Sequence, residues 1–330
     1  MAAPAPANIS TIASFPRHFF LENLAVRADG SILVTVLNHK QLWYVPAPTG
    51  GQSVTPALLH TFDHIATGIA ETDPDIFYVS TALQGTLERF DMRGWVPGTP
   101  IQPTRVLTFD QPAGLNGSCA IAPRLLLLAD SLAGLIWRVD LADDGLSATA
   151  SVWLRDLSMA PDPDNGLISP LGPQPGINGI RYAARTKAVY YTCTARKLFA
   201  RVAVDPARYT ALGRPEVIAA DIAADDFCLD ENAGVAYLTT HTGNTIVRVP
   251  IDSGTGGATN SVVAGDPFTE QLVGPSSAAW ARGPADYGRI AYVTTDGGHT
   301  AIEYQRPGAD GVIRPALVVR AQFDPERATR

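Results

Sequence analysis

One pattern recurs six times along this 330-residue chain and restricts it to a repeat architecture. Each copy has one or two polar residues, a short apolar strand, a turn, a second apolar strand ending in Thr, Ser or Asp, and then a third strand. The clearest copy reads Asp225-Asp226-Phe227-Cys228-Leu229-Asp230, followed by Gly234-Val235-Ala236-Tyr237-Leu238-Thr239-Thr240. The copies open at Glu22, Thr67, Asn116, Asn178, Asp225 and Ser276, spaced by 45, 49, 62, 47 and 51 residues. A four-stranded propeller blade takes about 40–50 residues. The spacing therefore predicts an all-β, six-bladed β-propeller with four-stranded antiparallel blades, and residues 1–330 as one domain.

The β-prone run Asn8 to Pro16 precedes the first copy and is expected to complete the last blade, which removes an open sheet edge. Unbroken apolar runs such as Leu125-Leu126-Leu127-Leu128 suit strands covered on both faces by neighbouring blades. The sixth copy is expected to continue from Ile290–Thr295 into a strand over Thr300-Ala301-Ile302-Glu303-Tyr304. The long fourth step falls at Ser158 to Pro175, where dense proline predicts a loop. Asp162, Asp164 and Asn165 there lack the terminal Glu of a calcium-binding EF-hand loop and read as a solvated turn. The tail Pro325 to Arg330 is expected to fray.

Composition narrows the partner. Hydrophobic residues make up 46% of the chain, enough for a large core, and the net charge is −7 with acids and bases interspersed. No basic face points to nucleic acid or anionic lipid, and no run reaches the about 18 apolar residues of a membrane span. Met1 to Ala7 has neither the charged nor the apolar part of a leader, so the chain as written reads as cytoplasmic, a longer secreted precursor being the alternative. Cys119, Cys193 and Cys228 are too few and scattered for a disulfide framework. A small molecule is the expected partner, bound by a monomer or weak homo-oligomer.

In a propeller the first strand of each blade lines the central channel. The six opening residues would then meet at one axis, where buried polar atoms must satisfy one another, water or an ion. Two carboxylates and two amides make an oxygen-only set suited to calcium or magnesium and not to zinc or copper. Alternatively, the six merely bridge blades. Asn116-Gly117-Ser118 and Asn8-Ile9-Ser10 also read as glycosylation sequons, with the interior role preferred for Asn116. The ends of the second strands return to the same mouth and supply a second tier: Asn38 and His39, Asp130 and Ser131, Thr192 and Thr194, Thr240 and His241, Thr295 and Asp296. Histidine is the side-chain type here whose ordinary range lies near neutrality, so His241 or His39 could move a proton. His39, Asp130, Thr194, Ser276 and Asp296 are candidate substrate-binding residues.

The order Glu22, Asn116, Asn178, Asp225 at blades one, three, four and five resembles the metal quartet of the regucalcin and gluconolactonase family of six-bladed propellers. The strings Glu22-Asn23-Leu24-Ala25-Val26, Leu115-Asn116-Gly117, Gly176-Ile177-Asn178-Gly179-Ile180 and Asp225-Asp226-Phe227 are similar especially to a fungal branch. The resemblance covers nearly the whole chain. It implies Glu22, Asn116, Asn178 and Asp225 as ligands of a divalent cation and Asp225 as general base for lactone hydrolysis. Sugar lactonases of the family carry an arginine two residues before the third-blade asparagine, where this chain has Gly114. The fungal branch is similar to enzymes of secondary metabolism, including hetero-Diels–Alderases that join a tropolone quinone methide to a sesquiterpene.

The resemblance implies two competing enzyme classes, the cycloaddition being preferred on Gly114 and the fungal likeness, and a binding propeller is the third reading because fold does not fix function. In a cycloaddition, which needs no cofactor, Asn116, Asn178, Thr240 or His241 would polarise a carbonyl while the cavity holds two apolar reactants together. In a lactonase, Ca2+ or Mg2+ would polarise the ester carbonyl beside Asp225. In a binding propeller, the cavity would hold a ligand without turnover.

Overall fold

The computed structural model describes residues 5–49, 52–162, 174–251, 259–303 and 310–323. The strands of these residues form six four-stranded antiparallel sheets, the blades of a six-bladed β-propeller. The inner strands are Leu21–Val26, Ile65–Glu71, Leu115–Ala122, Ile177–Ala183, Phe227–Asp230 and Pro275–Trp280. Each pairs with a second strand: Ile32–Val36, Ile76–Ala82, Leu125–Asp130, Ala188–Cys193, Val235–Thr240 and Ile290–Thr295. Five of these second strands are buried at every position and the sixth at all but its first residue. Blades cover both faces of them, which explains their continuous apolar character.

Strand Asn8–Arg17 pairs antiparallel with Pro315–Gln322, from Asn8↔Gln322 to Arg17↔Pro315, so the N-terminal segment closes the last blade. The expected strand at Thr300–Tyr304 is corrected: His299–Glu303 is a short helix, Tyr304 lies outside the described residues, and the third strand of the sixth blade is Pro315–Gln322. The cause is the carboxylate of Asp296, which accepts hydrogen bonds from the Gly298 amide at 2.7 Å and the Thr300 amide at 2.8 Å. Satisfying these amides turns the chain away from a sheet. The segment before the fourth blade holds a 3-10 turn, Leu157–Met159, and a bridge between Asp162 and Gln174. Asp164 and Asn165 lie outside the described residues, as does the tail from 324 onward.

Hydroxyl groups tie each blade to the next around the full circle. Thr35 Oγ1 donates to the Thr67 carbonyl at 2.7 Å and Ser131 Oγ to that of Ile177 at 2.5 Å, while Ser80 Oγ has the Gly68 carbonyl of its own blade at 3.2 Å and that of Asn116 in the next at 3.4 Å. Thr192 Oγ1 donates to the Asp225 carbonyl at 2.5 Å and Thr239 Oγ1 to that of Ser276 at 2.9 Å. Ser276 Oγ donates to the Leu21 carbonyl and completes the ring. Inner strands approach closely enough that two positions require glycine. A Cβ on Gly68 would collide with the Asn116 carbonyl, and one on Gly117 would lie 2.5 Å from the Asn178 carbonyl.

Candidate functional site

A cavity of about 930 Å³, counted to its open mouth, lies where the inner strands converge. Glu22, Thr67, Asn116, Asn178 and Asp225 all line it, so five of the six opening residues meet there. Local backbone irregularity aims them. Pairing of each of five inner strands slips at the opening residue, between Leu21 and Asn23, Ala66 and Ile69, Leu115 and Ser118, Ile177 and Ile180, and Pro275 and Ala278. Such bulges redirect a side chain out of the sheet pattern. In the fifth blade the strand starts at Phe227, which leaves Asp225 just ahead of it.

The second tier divides by strand register. Val36, Thr81, Asp130, Cys193 and Thr295 occupy one equivalent position, each paired with the residue before a blade opening. Side chains alternate faces, so the residue one step further points the other way. Leu37, Ala82, Ser131, Thr194 and His241, each at that next step, line the cavity.

Several expected site residues are therefore placed elsewhere. Asp130 is buried behind the wall, where Oδ1 accepts from the amides of Gly114, Leu132 and Ala133 and Oδ2 from the Trp137 indole. Thr240 is turned to Thr245, with 2.6 Å between their hydroxyls. His39 is exposed and its ring lies 4.2 Å from that of Phe19. Ser276 is spent on the link between the sixth and first blades, and neither it nor these three residues lines the cavity. Asp296 is fully buried beside the cavity residue His241, with Oδ2 3.1 Å from Nε2.

Hydrogen bonding fixes both amides. Ser131 Oγ gives its one proton to the Ile177 carbonyl, so it must accept from Asn116, whose Nδ2 lies 3.2 Å away. Thr194 Oγ1 likewise gives its proton to the Ala224 carbonyl at 2.8 Å and accepts from Asn178 Nδ2 at 3.0 Å. Both amide nitrogens thus face the wall, and Oδ1 is the end left for the cavity. With Glu22 and Asp225 this makes a donor set of hard oxygens that fits calcium or magnesium. Among the described residues no three His, Cys, Asp or Glu side chains group as a metal site, so a cation there would depend on the two amide oxygens.

Burial pushes the Glu22 carboxyl up to about 8, and the nearby carboxylates of Asp226 and Asp296 add to the shift. The folded state therefore holds this proton more tightly than the unfolded chain, and stability contributed by Glu22 is lost as pH rises from about 4.5 to about 8. In chelator, Glu22→Gln is expected to remove that loss, making the variant more stable than the native protein by a few kcal/mol at pH 9 and by much less at pH 5. Urea midpoints across this range test it, and parallel curves for the two proteins would contradict the buried, proton-holding Glu22.

A polar network missed by the sequence reading lies on the next residue of the inner strands. Asp226 Oδ2 accepts from Arg181 Nη2 at 2.6 Å, Ser277 Oγ at 2.6 Å and Asn23 Nδ2 at 3.3 Å. Asn23, Asp226 and Ser277 each follow a blade opening, and Gly68, Gly117 and Gly179 hold the same place in the other three blades. That shared register was the available signal.

Fold and cavity together define a six-bladed propeller with an axial cavity. No protein-family model matches the chain, and no curated protein matches it in sequence. Among solved structures it is similar to a luciferin-regenerating enzyme, with a TM-score of 0.67 at 13% identity over 96% of this chain and 95% of that one. It is also similar to a regucalcin, a calcium-binding protein from Agrobacterium tumefaciens, with a TM-score of 0.59 at 14% identity over 97% and 99%. The PQQ-bound aldose sugar dehydrogenase of Streptomyces coelicolor gives 0.58 at 15% identity over 97% and 100%. At these identities the likeness is one of fold.

Proposed function

We propose that the protein is a small-molecule enzyme of natural-product assembly whose axial cavity takes apolar substrates, acting as a hetero-Diels–Alderase-type pericyclase. One observation carries the substrate class. A Cβ on Gly114 would lie 2.5 Å from Leu132 Cγ and 2.8 Å from its Cβ, so leucine fills the space that an arginine side chain at 114 would need. Phe20, Leu37, Leu83, Leu115, Leu132 and Pro175 give the cavity an apolar wall, and among the described residues no guanidinium for a polyol lines it. Two apolar reactants held together there would save association entropy, worth about 7–11 kcal/mol in well-oriented reactions.

The orientation of the amides favours a second reading, a lactone hydrolase. Glu22, Asn116 Oδ1, Asn178 Oδ1 and Asp225 would hold a divalent cation, which when bound supplies Lewis-acid polarisation of an ester carbonyl. Asp225 would take the proton of the attacking water, and the apolar wall would select alkyl or aryl lactones over sugar lactones. The enzymes among the structural neighbours support catalysis on this fold and leave its chemistry open.

Chelation separates the two. A pericyclase is expected to accelerate coupling of a quinone methide with an unactivated alkene equally in EDTA and in calcium. A lactonase is expected to lose at least about 100-fold of its rate on an alkyl lactone in EDTA and to regain it with calcium. Turnover of neither substrate class, with retained micromolar binding of apolar ligands, would replace both readings with a binding propeller.

A further inference from the structure

Four residues join the second and third strands in each of the first five blades: 37–40, 82–85, 131–134, 194–197 and 241–244. In all five turns the fourth residue has a positive φ, at Lys40, Gly85, Gly134, Lys197 and Asn244. The turn of the second blade alone adds another, Leu83 at its second position, with a φ of 71°. A left-handed backbone brings Cβ against the following carbonyl oxygen, which glycine avoids and asparagine tolerates better than a bulky aliphatic residue. Among the described residues Leu83 is the only aliphatic one that adopts it.

Two hydrogen bonds hold it there. The Leu83 amide donates to the Ala113 carbonyl at 2.9 Å, and the Ala113 amide donates to the Leu83 carbonyl at 3.0 Å. This bridge fastens the turn of the second blade to the segment that leads through Gly114 into Asn116. The side chain recovers little of the cost by burial, because Leu83 is 42% exposed. Of the large hydrophobic residues exposed among the described ones, it is the one that lines the axial cavity. A costly backbone that displays an unburied apolar group in a cavity points to a ligand that meets that group.

The neighbouring turns give such a ligand a direction. Of the turn residues that line the cavity, the large apolar ones, Leu37, Leu83 and Leu132, come from the first three blades. Ser131 is polar on that side, but its hydroxyl proton is spent on the Ile177 carbonyl. Thr194, His241 and Thr242 come from the fourth and fifth blades. In a closed ring of six the fifth blade stands opposite the second, so Leu83 looks across the bore toward hydrogen-bonding side chains.

We propose that Leu83 is a specificity-determining residue, held by its strained turn in the cavity to receive the apolar part of a small ligand whose hydrogen-bonding end faces the fourth and fifth blades. This rests on the reading of the cavity as a site for apolar substrates.

The test titrates the full chain with N-phenyl-1-naphthylamine, an uncharged fluorescent aromatic amine, and compares Leu83→Asn, Leu83→Gly and Leu83→Met. Asparagine and glycine suit the left-handed turn, so these two variants are expected to melt at or above the native temperature. Their affinity for the probe is expected to fall about 5- to 20-fold, while Leu83→Met, which keeps an apolar side chain, stays within about threefold. In methyl-labelled native protein, nuclear Overhauser contacts are expected between the bound probe and the leucine methyl signals that disappear in Leu83→Met. Unchanged affinity in Leu83→Asn, or a bound probe without contact to those methyls, would overturn the proposal. Melting more than about 5 °C below the native protein in both the asparagine and the glycine variants would also overturn it, since the turn would then carry no strain to relieve. If those variants do not fold, the contacts in the native protein still decide the matter. Failure of the native protein to bind the probe would overturn the apolar cavity and this proposal together, whereas binding without a role for Leu83 would leave the apolar cavity standing.

Discussion

Deletion of residues 1–17 is expected to abolish cooperative folding and to leave the chain in aggregates. The strand Asn8–Arg17 supplies the outer edge of the sixth blade, and its loss exposes the whole length of Pro315–Gln322 as an unpaired edge. Ile12, Ala13 and Phe15 are 1%, 0% and 2% exposed and pack in one cluster with Leu21 and Val36 of the first blade and Ala316 and Val318 of the sixth. Burying the isoleucine and phenylalanine contributes about 1.5–3 kcal/mol each. The ladder hydrogen bonds add to this, so the sum is comparable with the about 5–15 kcal/mol that holds a typical domain folded. An open apolar edge also templates aggregation. Size-exclusion chromatography and thermal unfolding by circular dichroism give the result. A monomer melting cooperatively within a few degrees of the native protein would show that the closing strand is dispensable.

Asp226→Ala is expected to cost about 3–5 kcal/mol, the usual effect of removing one partner of a buried ion pair. The carboxylate is 2% exposed and serves donors from three blades: Asn23 of the first, Arg181 of the fourth and Ser277 of the sixth. Oδ1 also accepts from the Phe227 amide at 2.9 Å. Arg181, whose guanidinium carbon lies 5.7 Å from the Phe227 ring centre, would be left as an unpaired charge. Asp226→Asn keeps the shape and some of the hydrogen bonds and is expected to cost less. Replacing Arg181 by methionine in the alanine variant should recover part of the loss, because the stranded charge is then gone. Urea unfolding of the native protein, Asp226→Ala, Arg181→Met and the double variant measures the coupling. Additive losses in the double variant would mean that Arg181 and Asp226 do not act as a pair.

The architecture was legible because period and polarity repeat with the blade. Glu22, Thr67, Asn116, Asn178 and Asp225 share a register, and the cavity brings all five together. Ser276 shares it too, but a serine side chain is short enough to turn back on the Leu21 carbonyl. The second tier was ambiguous by a single residue. In a strand one step reverses the face, so Ser131, Thr194 and His241 reach the cavity while Asp130 and Thr240 do not. The helix at His299–Glu303 was hidden by the β-prone residues Thr300, Ile302 and Tyr304 at alternate positions, although Asp296-Gly297-Gly298 ahead of it carried the turn chemistry. Asp226 was overlooked beside its neighbour Asp225, since only the three-dimensional path shows that adjacent acids serve different networks.

The circle of hydroxyl-to-carbonyl links has a mechanical consequence. Five of the links fasten a second strand, or the residue just after it, to the next inner strand and the sixth joins inner strand to inner strand, so tension applied at one seam is shared by every other, as in a hoop. The bore cannot widen at one blade without stretching bonds elsewhere in the circuit. Adaptation to guests of different girth then falls to the loops at the rim, while the axial side chains keep a constant spacing whatever enters.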